Sequence, residues 1–365
     1  MYGAEFSLYS GKVRSYLRKK GISFDEVTST LSVYKKFIIP RTGVRYIPVV
    51  QTPDDHVFQD TTVIIDELEK RFPEHSVYPN TPKQKLASLL LELYGDEWLL
   101  IPAMHYRWHY KEQNARFIYG EFGRMIAPKA PGLIQRFLGK KIGNKFKSAV
   151  PKLGVSDTNR AAIEKSYELF LSDLNTHFSQ YDYLLGSKPC IADFGFIAPL
   201  YAHLSRDPAP GKFMRDNAPA VVAWVDRMNN NEATLQSGEL LENDEIPSTL
   251  LPILKRMAQE QFPVLLDTDQ QLSKWRIENP DASEIERYIG KHSFTVEGVK
   301  GERVILPYCL WMYRRPVECY QSLTDNESVN ELMSMTGMKD SLDKGLLNYL
   351  VRADNKLQFD PKKIR

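Results

Sequence analysis

Three cysteines in 365 residues, Cys190, Cys309 and Cys319, are too few and too widely spaced for a disulfide framework or a zinc knuckle. They suit a reducing compartment. None precedes Cys190, which argues against disulfide exchange by a thiol near the N-terminus. Excess charge is missing as well: 48 Lys and Arg against 46 Asp and Glu leave +2, so composition gives no reason to expect nucleic acid as a partner. No stretch reaches the roughly 18 apolar residues needed to span a bilayer, and the opening MYGAEFSLYSGKVR lacks the apolar run of a signal peptide. The expected location is the cytoplasm. With 42% hydrophobic and 26% charged residues, the chain has the make-up of a globular protein with room for two or three domains.

Weak alternation over Glu5 to Tyr9 reads as a strand, and Ser10 then precedes a helix with Val13, Tyr16 and Leu17 on one face and Gly21 as its stop. Phe24 to Val27 reads as a second strand, followed by a basic connection with Lys35, Lys36, Arg41 and Arg45. The segment RYIPVVQTPDDHVFQDTTVIIDELE, Arg45 to Glu69, is the most informative in the chain. Its Ile-Pro-Val step opens a strand, Pro53 and two acids make a turn, a short strand runs to Phe58, and Asp60-Thr61 opens an apolar helix. From Pro82 the pattern is helical, with a long amphipathic stripe at Ile163, Tyr167, Phe170, Leu171, Leu174 and Phe178. The later segment SKPCIADFGFIAPLYAHL places Asp193 as a helix cap, with Cys190 at the position where Ser or Thr would complete it.

This β-α-β-x-β-β-α order, with Ile47-Pro48, Asp60-Thr61 and the Ala-Asp cap, resembles the cytosolic glutathione transferase superfamily. The resemblance implies an α/β thioredoxin-like N-terminal domain at residues 1–80 and an all-α transferase-like C-terminal domain at 82–245, with an insertion at about 110–155. A mostly helical C-terminal extension, 246–365, matches no family motif. In that extension a β-hairpin is expected around Gly298 to Gly301, leading into a helix with Tyr308, Trp311, Tyr313, Arg314 and Arg315 that packs back on the core.

For the site, the resemblance implies a cis Ile47-Pro48 bond, which accounts for a proline at a strand head, where it cannot donate to the ladder. The Ile47 backbone then pairs with the cysteinyl backbone of glutathione like one more strand. It also implies that Asp60 receives the γ-glutamyl ammonium and Thr61 its carboxylate, at a helix N-terminus that favours anions. Taken without the resemblance, Asp60 or Thr61 reads first as a plain helix cap. For thiol activation Ser10 is the first candidate and Tyr9 the second, with a plain N-cap and a strand-core residue as the competing readings.

The i, i+4 pair His105 and His109 lacks an HExxH context and sits near Pro102, so no metal is expected. Trp98, Tyr106 and Trp108 are expected to line an apolar pocket, and Lys140, Lys141, Lys145 and Lys147 to be a solvated face. The expected function is conjugation or reduction of a small electrophile by the glutathione thiolate, with glutathione as co-substrate. The alternative is a non-catalytic binding or assembly protein on the same fold. A homodimer is expected, paired through the first long helix of the C-terminal half.

Overall fold

The computed structural model describes residues 1–363. Its α/β part is a four-stranded sheet in the order β2-β1-β3-β4, formed by β1 (Tyr2–Gly3), β2 (Val27–Thr28), β3 (Val49–Gln51) and β4 (Val57–Gln59). β1 and β2 run parallel, which requires a crossover, and helix α1 (Leu8–Lys20) supplies it. β3 and β4 run antiparallel, turning at Asp54-Asp55, where Asp55 takes a φ of 63°. Helix α2 (Thr61–Arg71) follows, and Val13, Tyr16 and Leu17 of α1 are buried with Ile64, Ile65 and Leu68 of α2 in one apolar cluster.

The first strand lies earlier than the alternation at Glu5 to Tyr9 indicated. Ser7 is the N-cap of α1, with extended backbone, and its side chain accepts the Ser10 N–H at 3.4 Å. Gly3 lets the strand pass close by this turn, since a Cβ there would sit 3.0 Å from Ser10 Oγ. β2 is displaced the other way, from the expected Phe24–Val27 to Val27–Thr28, where it pairs with Tyr2 and Gly3.

The helical part opens with α3 (Pro82–Leu93), a wider turn at Tyr94–Trp98, and α4 (Leu100–His109). The insertion, rich in Gly, Pro and Lys, is a pair of helices, α5 (Lys111–Ile126) and α6 (Gly132–Lys147). Its glycines are packing residues: a Cβ at Gly139 would lie 1.9 Å from the Tyr119 carbonyl oxygen, and one at Gly123 2.1 Å from that of Gln135. Helices α7 (Arg160–Phe178), α8 (Ile191–Pro199) and α9 (Pro219–Asn229) complete the transferase-like core. The cap of α8 is complete despite Cys190. Asp193 accepts the backbone N–H groups of Cys190 at 2.9 Å and Leu184 at 3.1 Å, and the Trp224 indole N–H at 3.1 Å.

The extension begins with α10 (Leu251–Glu278) and continues through the hairpin β5 (Lys291–Val296) and β6 (Val299–Val304) into α11 (Pro307–Gln321) and a second hairpin, β7 (Leu350–Ala353) and β8 (Lys356–Phe359). It packs back on the core as the aromatic run indicated. α11 lies along α3, where Arg315 reaches Glu92 at 2.8 Å, and Glu92 also holds the buried Lys12 at 2.7 Å. The extension thus lies against part of the α3 face, with Arg315 paired to the buried Glu92.

Candidate functional site

The register of the sheet assembles the site. Tyr2 stands opposite Val49, and Val49 opposite Gln59, so three segments emerge at one end of the sheet: residues 4–7, Ile47-Pro48 and Asp60-Thr61. The Ile47-Pro48 bond is cis. Among the described residues the Ile47 N–H and C=O have no backbone partner, which leaves a free edge for an extended ligand backbone.

Asp60 caps α2 from a φ of 85°, its Oδ1 accepting the Thr62 N–H at 3.0 Å and the Val63 N–H at 3.5 Å. Its Oδ2 faces the extension, accepting the Tyr308 hydroxyl at 2.5 Å with Arg352 Nη1 3.6 Å away. Arg352 in turn donates to the Gln59 side-chain oxygen at 2.7 Å. Thr61, at the first position of α2, is 5% exposed, and its hydroxyl has no hydrogen-bond partner among the described residues. The anion-favouring end of α2 thus carries a free hydroxyl, a carboxylate and a nearby guanidinium.

The hydroxyl at the α1 end is that of Ser7. It accepts the Ser10 N–H and keeps its own proton for another acceptor, beside the Leu8 and Tyr9 N–H groups, which have no partner among the described residues. Ser10, the first candidate from sequence, is fully buried and accepts the Ala4 N–H at 3.2 Å. Tyr9, the second, donates to the Asp96 carbonyl at 3.2 Å, and burial followed by the Glu97 and Asp96 carboxylates pushes its phenol well above the ordinary range. Ser7 escaped sequence reading because the alternation around it imitates a strand. The signal that could find it is a serine directly ahead of the first helical residue, Leu8, where its oxygen can accept the backbone N–H three residues on.

A buried ion pair holds the loop before Ser7. Arg107 on α4 binds Asp207 at 2.6 and 2.8 Å and donates to the Phe6 carbonyl at 3.2 Å. Phe6 meets Phe122 of the insertion edge-on, with ring centroids 4.6 Å apart. An apolar cluster surrounds this loop, with Ala4, Phe6, Met104 and Trp108 buried and Ile47 and Leu306 packed against it. Of the expected pocket residues, Trp108 belongs to this cluster. Trp98 instead donates to Glu260 and meets Phe294 of the extension, while Tyr106 stacks on Tyr110.

Several ionisable groups are enclosed between α3, α4 and the extension. Lys12 touches Asp96 at 2.5 Å and Glu92 at 2.7 Å; burial works against its charge, but the two carboxylates outweigh burial and raise its pKa. Glu97 accepts the Cys309 thiol at 3.1 Å, and burial, helped by Asp96 and Asp60 and opposed by Cys309 and Arg303, pushes its carboxyl up to about 8. A carboxyl whose folded pKa lies above its unfolded value stabilises the fold below the unfolded pKa, and the contribution is lost as pH rises through the folded value. Stability therefore falls between about pH 4.5 and 8 on account of Glu97. Melting curves from acid to mildly alkaline pH are expected to fall less steeply for Glu97→Gln than for the parent; parallel curves would contradict this.

His105 binds Glu164 at 2.8 Å and stacks on His109 with centroids 5.0 Å apart. Among the described residues no group of three or more His, Cys, Asp or Glu side chains is placed to hold a metal ion. No helix among them is long and apolar enough to cross a membrane.

Residues 1–76 match the glutathione S-transferase N-terminal domain, and residues 145–232 match the glutathione S-transferase C-terminal domain. Among curated proteins the chain finds no match. Similar solved structures include a glutathione S-transferase-like protein from Pseudomonas syringae, at 22% identity and a TM-score of 0.42, with 64% of this chain and 66% of that one covered. A β-etherase from Sphingobium matches at 20% identity and a TM-score of 0.44, covering 64% of this chain and 96% of that one. A glutathione S-transferase from Methylobacterium radiotolerans, solved in complex with glutathione sulfonate, matches at 17% identity and a TM-score of 0.39, covering 66% of this chain and 95% of that one.

Proposed function

This chain carries both domains of the glutathione S-transferase superfamily, and from that premise we propose that it binds glutathione at the α1 and α2 ends of its sheet and transfers the thiolate to a small electrophile in the cytoplasm. The observation that carries the reading is the convergence of Ser7, the free Ile47 backbone edge and Asp60-Thr61 at one end of the sheet. The γ-glutamyl carboxylate goes to the Thr61 hydroxyl and the N-terminus of α2, its ammonium to Asp60 Oδ2, and the cysteinyl backbone to Ile47. This directs the sulfur toward the Ser7 hydroxyl and the free N–H groups of α1, which favour the thiolate over the thiol. The apolar cluster around Ile47, Leu306 and Phe6 then receives the electrophile beside it. The protein releases the conjugate or, where a second glutathione closes a disulfide with the first, the reduced product and glutathione disulfide, and needs no other cofactor.

Thr61→Ala is expected to weaken glutathione binding by about 1–3 kcal/mol, because a carboxylate loses a donor in a nearly enclosed seat. Isothermal titration of parent and variant checks this, and equal affinities would remove Thr61 from the site.

A second reading, a non-catalytic protein on this fold, draws support from the extension: Tyr308 and Arg352 already stand against Asp60, where a ligand ammonium would go. Retention of the parent on a glutathione resin and elution by free glutathione favour the first reading; passage through the resin favours the second.

A further inference from the structure

The insertion helix α6 carries an outward face that the transferase reading leaves without a role. Leu133 is 76% exposed, Phe137 72% and Ile134 50%, an unusual accumulation of large apolar side chains on one helix face. Between Gly132 and Lys147 there is no acidic residue, while Arg136, Lys140, Lys141, Lys145 and Lys147 are basic. At helical spacing Leu133 and Phe137 form the centre of the exposed face; Arg136 and Lys140 flank it on one side, Lys141 and Lys145 on the other. All four of these flanking residues are exposed. The glycine side of the helix faces inward, with Gly139 against the α5 backbone and a Cβ at Gly143 only 3.1 Å from the rings of Trp108 and Tyr119. Packing on α5 thus fixes the apolar and basic side toward the outside.

We propose that α6 is a peripheral docking surface for an anionic lipid bilayer. A planar bilayer takes up Leu133, Ile134 and Phe137 among its acyl chains, while the flanking lysine stems run along the apolar surface and return their ammonium groups to anionic headgroups. A second copy of the chain fits poorly, because a two-fold contact would set the same four cations of each helix against one another with no acid on α6 to offset them. The association is superficial.

The test is sedimentation of the full chain with vesicles of phosphatidylcholine alone and of phosphatidylcholine mixed with phosphatidylserine. The parent is expected to sediment with the mixed vesicles only, and less as salt rises. Leu133→Ser with Phe137→Ser, and separately Lys140→Glu with Lys141→Glu, are expected to cut binding by about tenfold or more. These side chains are exposed, so the variants are expected to keep the parent's melting temperature, which separates lost docking from lost fold. The proposal is overturned if the parent ignores the mixed vesicles, or if both double variants bind them as the parent does. It is also overturned if the parent ignores the vesicles and instead sediments as a dimer that the Leu133 and Phe137 changes dissociate, which assigns the face to a second copy. Retention on polyglutamate without vesicle binding overturns it too, in favour of an acidic protein.

Discussion

Replacing Ser7 by alanine is expected to lower turnover with a chromogenic model electrophile by about a hundredfold or more while glutathione affinity changes little. The Ser7 hydroxyl accepts the Ser10 N–H and has one proton left to donate, and the thiolate is the acceptor this geometry offers it. A contact that matters only once the sulfur is charged appears in kcat rather than in binding. The lost helix cap itself costs about 1 kcal/mol, visible as a small drop in melting temperature and too little to explain the lost turnover. Ser10→Ala and Tyr9→Phe serve as controls, because those hydroxyls are bound to the Ala4 N–H and the Asp96 carbonyl. Unchanged turnover in Ser7→Ala with a large loss in Tyr9→Phe would move the role to the tyrosine.

Arg107→Ala is expected to destabilise the fold by about 3–5 kcal/mol, because it leaves Asp207 charged and unpaired in the interior. Asp207 is completely buried, and burial is the first cause raising its carboxyl pKa, against the lowering effect of Arg107. The same substitution releases the Phe6 carbonyl and with it the loop that presents Ser7. Chemical denaturation measures the first effect. The second appears as lower turnover below the melting transition, where the variant is still folded. A variant as stable as the parent would show that water reaches Asp207.

Where one residue type has one physical solution, the sequence was readable. A proline at the head of a strand, a hydroxyl and an acid opening an apolar helix, and an Ala-Asp cap each pointed to their observed places at Pro48, Asp60-Thr61 and Asp193. The start of the chain misled because Phe6 and Leu8 alternate with the more polar Glu5, Ser7 and Tyr9, whereas parallel pairing with Val27 and Thr28 places the strand at Tyr2 and Gly3. Glycine in the insertion is ambiguous for a related reason. Gly123 and Gly139 resemble loop breakers, yet each permits two helix backbones to touch, and the partner helix is invisible to a local window. The contribution of the extension was not legible, since Tyr308 and Arg352 meet Asp60 from 248 residues along the chain and beyond.

The account turns on whether glutathione occupies the end of the sheet where Ser7, Ile47 and Asp60-Thr61 meet. A crystal structure of the full chain grown with glutathione decides this most directly. The predicted result is density for the tripeptide with its γ-glutamyl group on Thr61 and Asp60, its cysteinyl backbone paired with Ile47 and its sulfur beside Ser7. Crystals grown in saturating glutathione that show this edge empty, with Tyr308 and Arg352 still closed on Asp60, would contradict it.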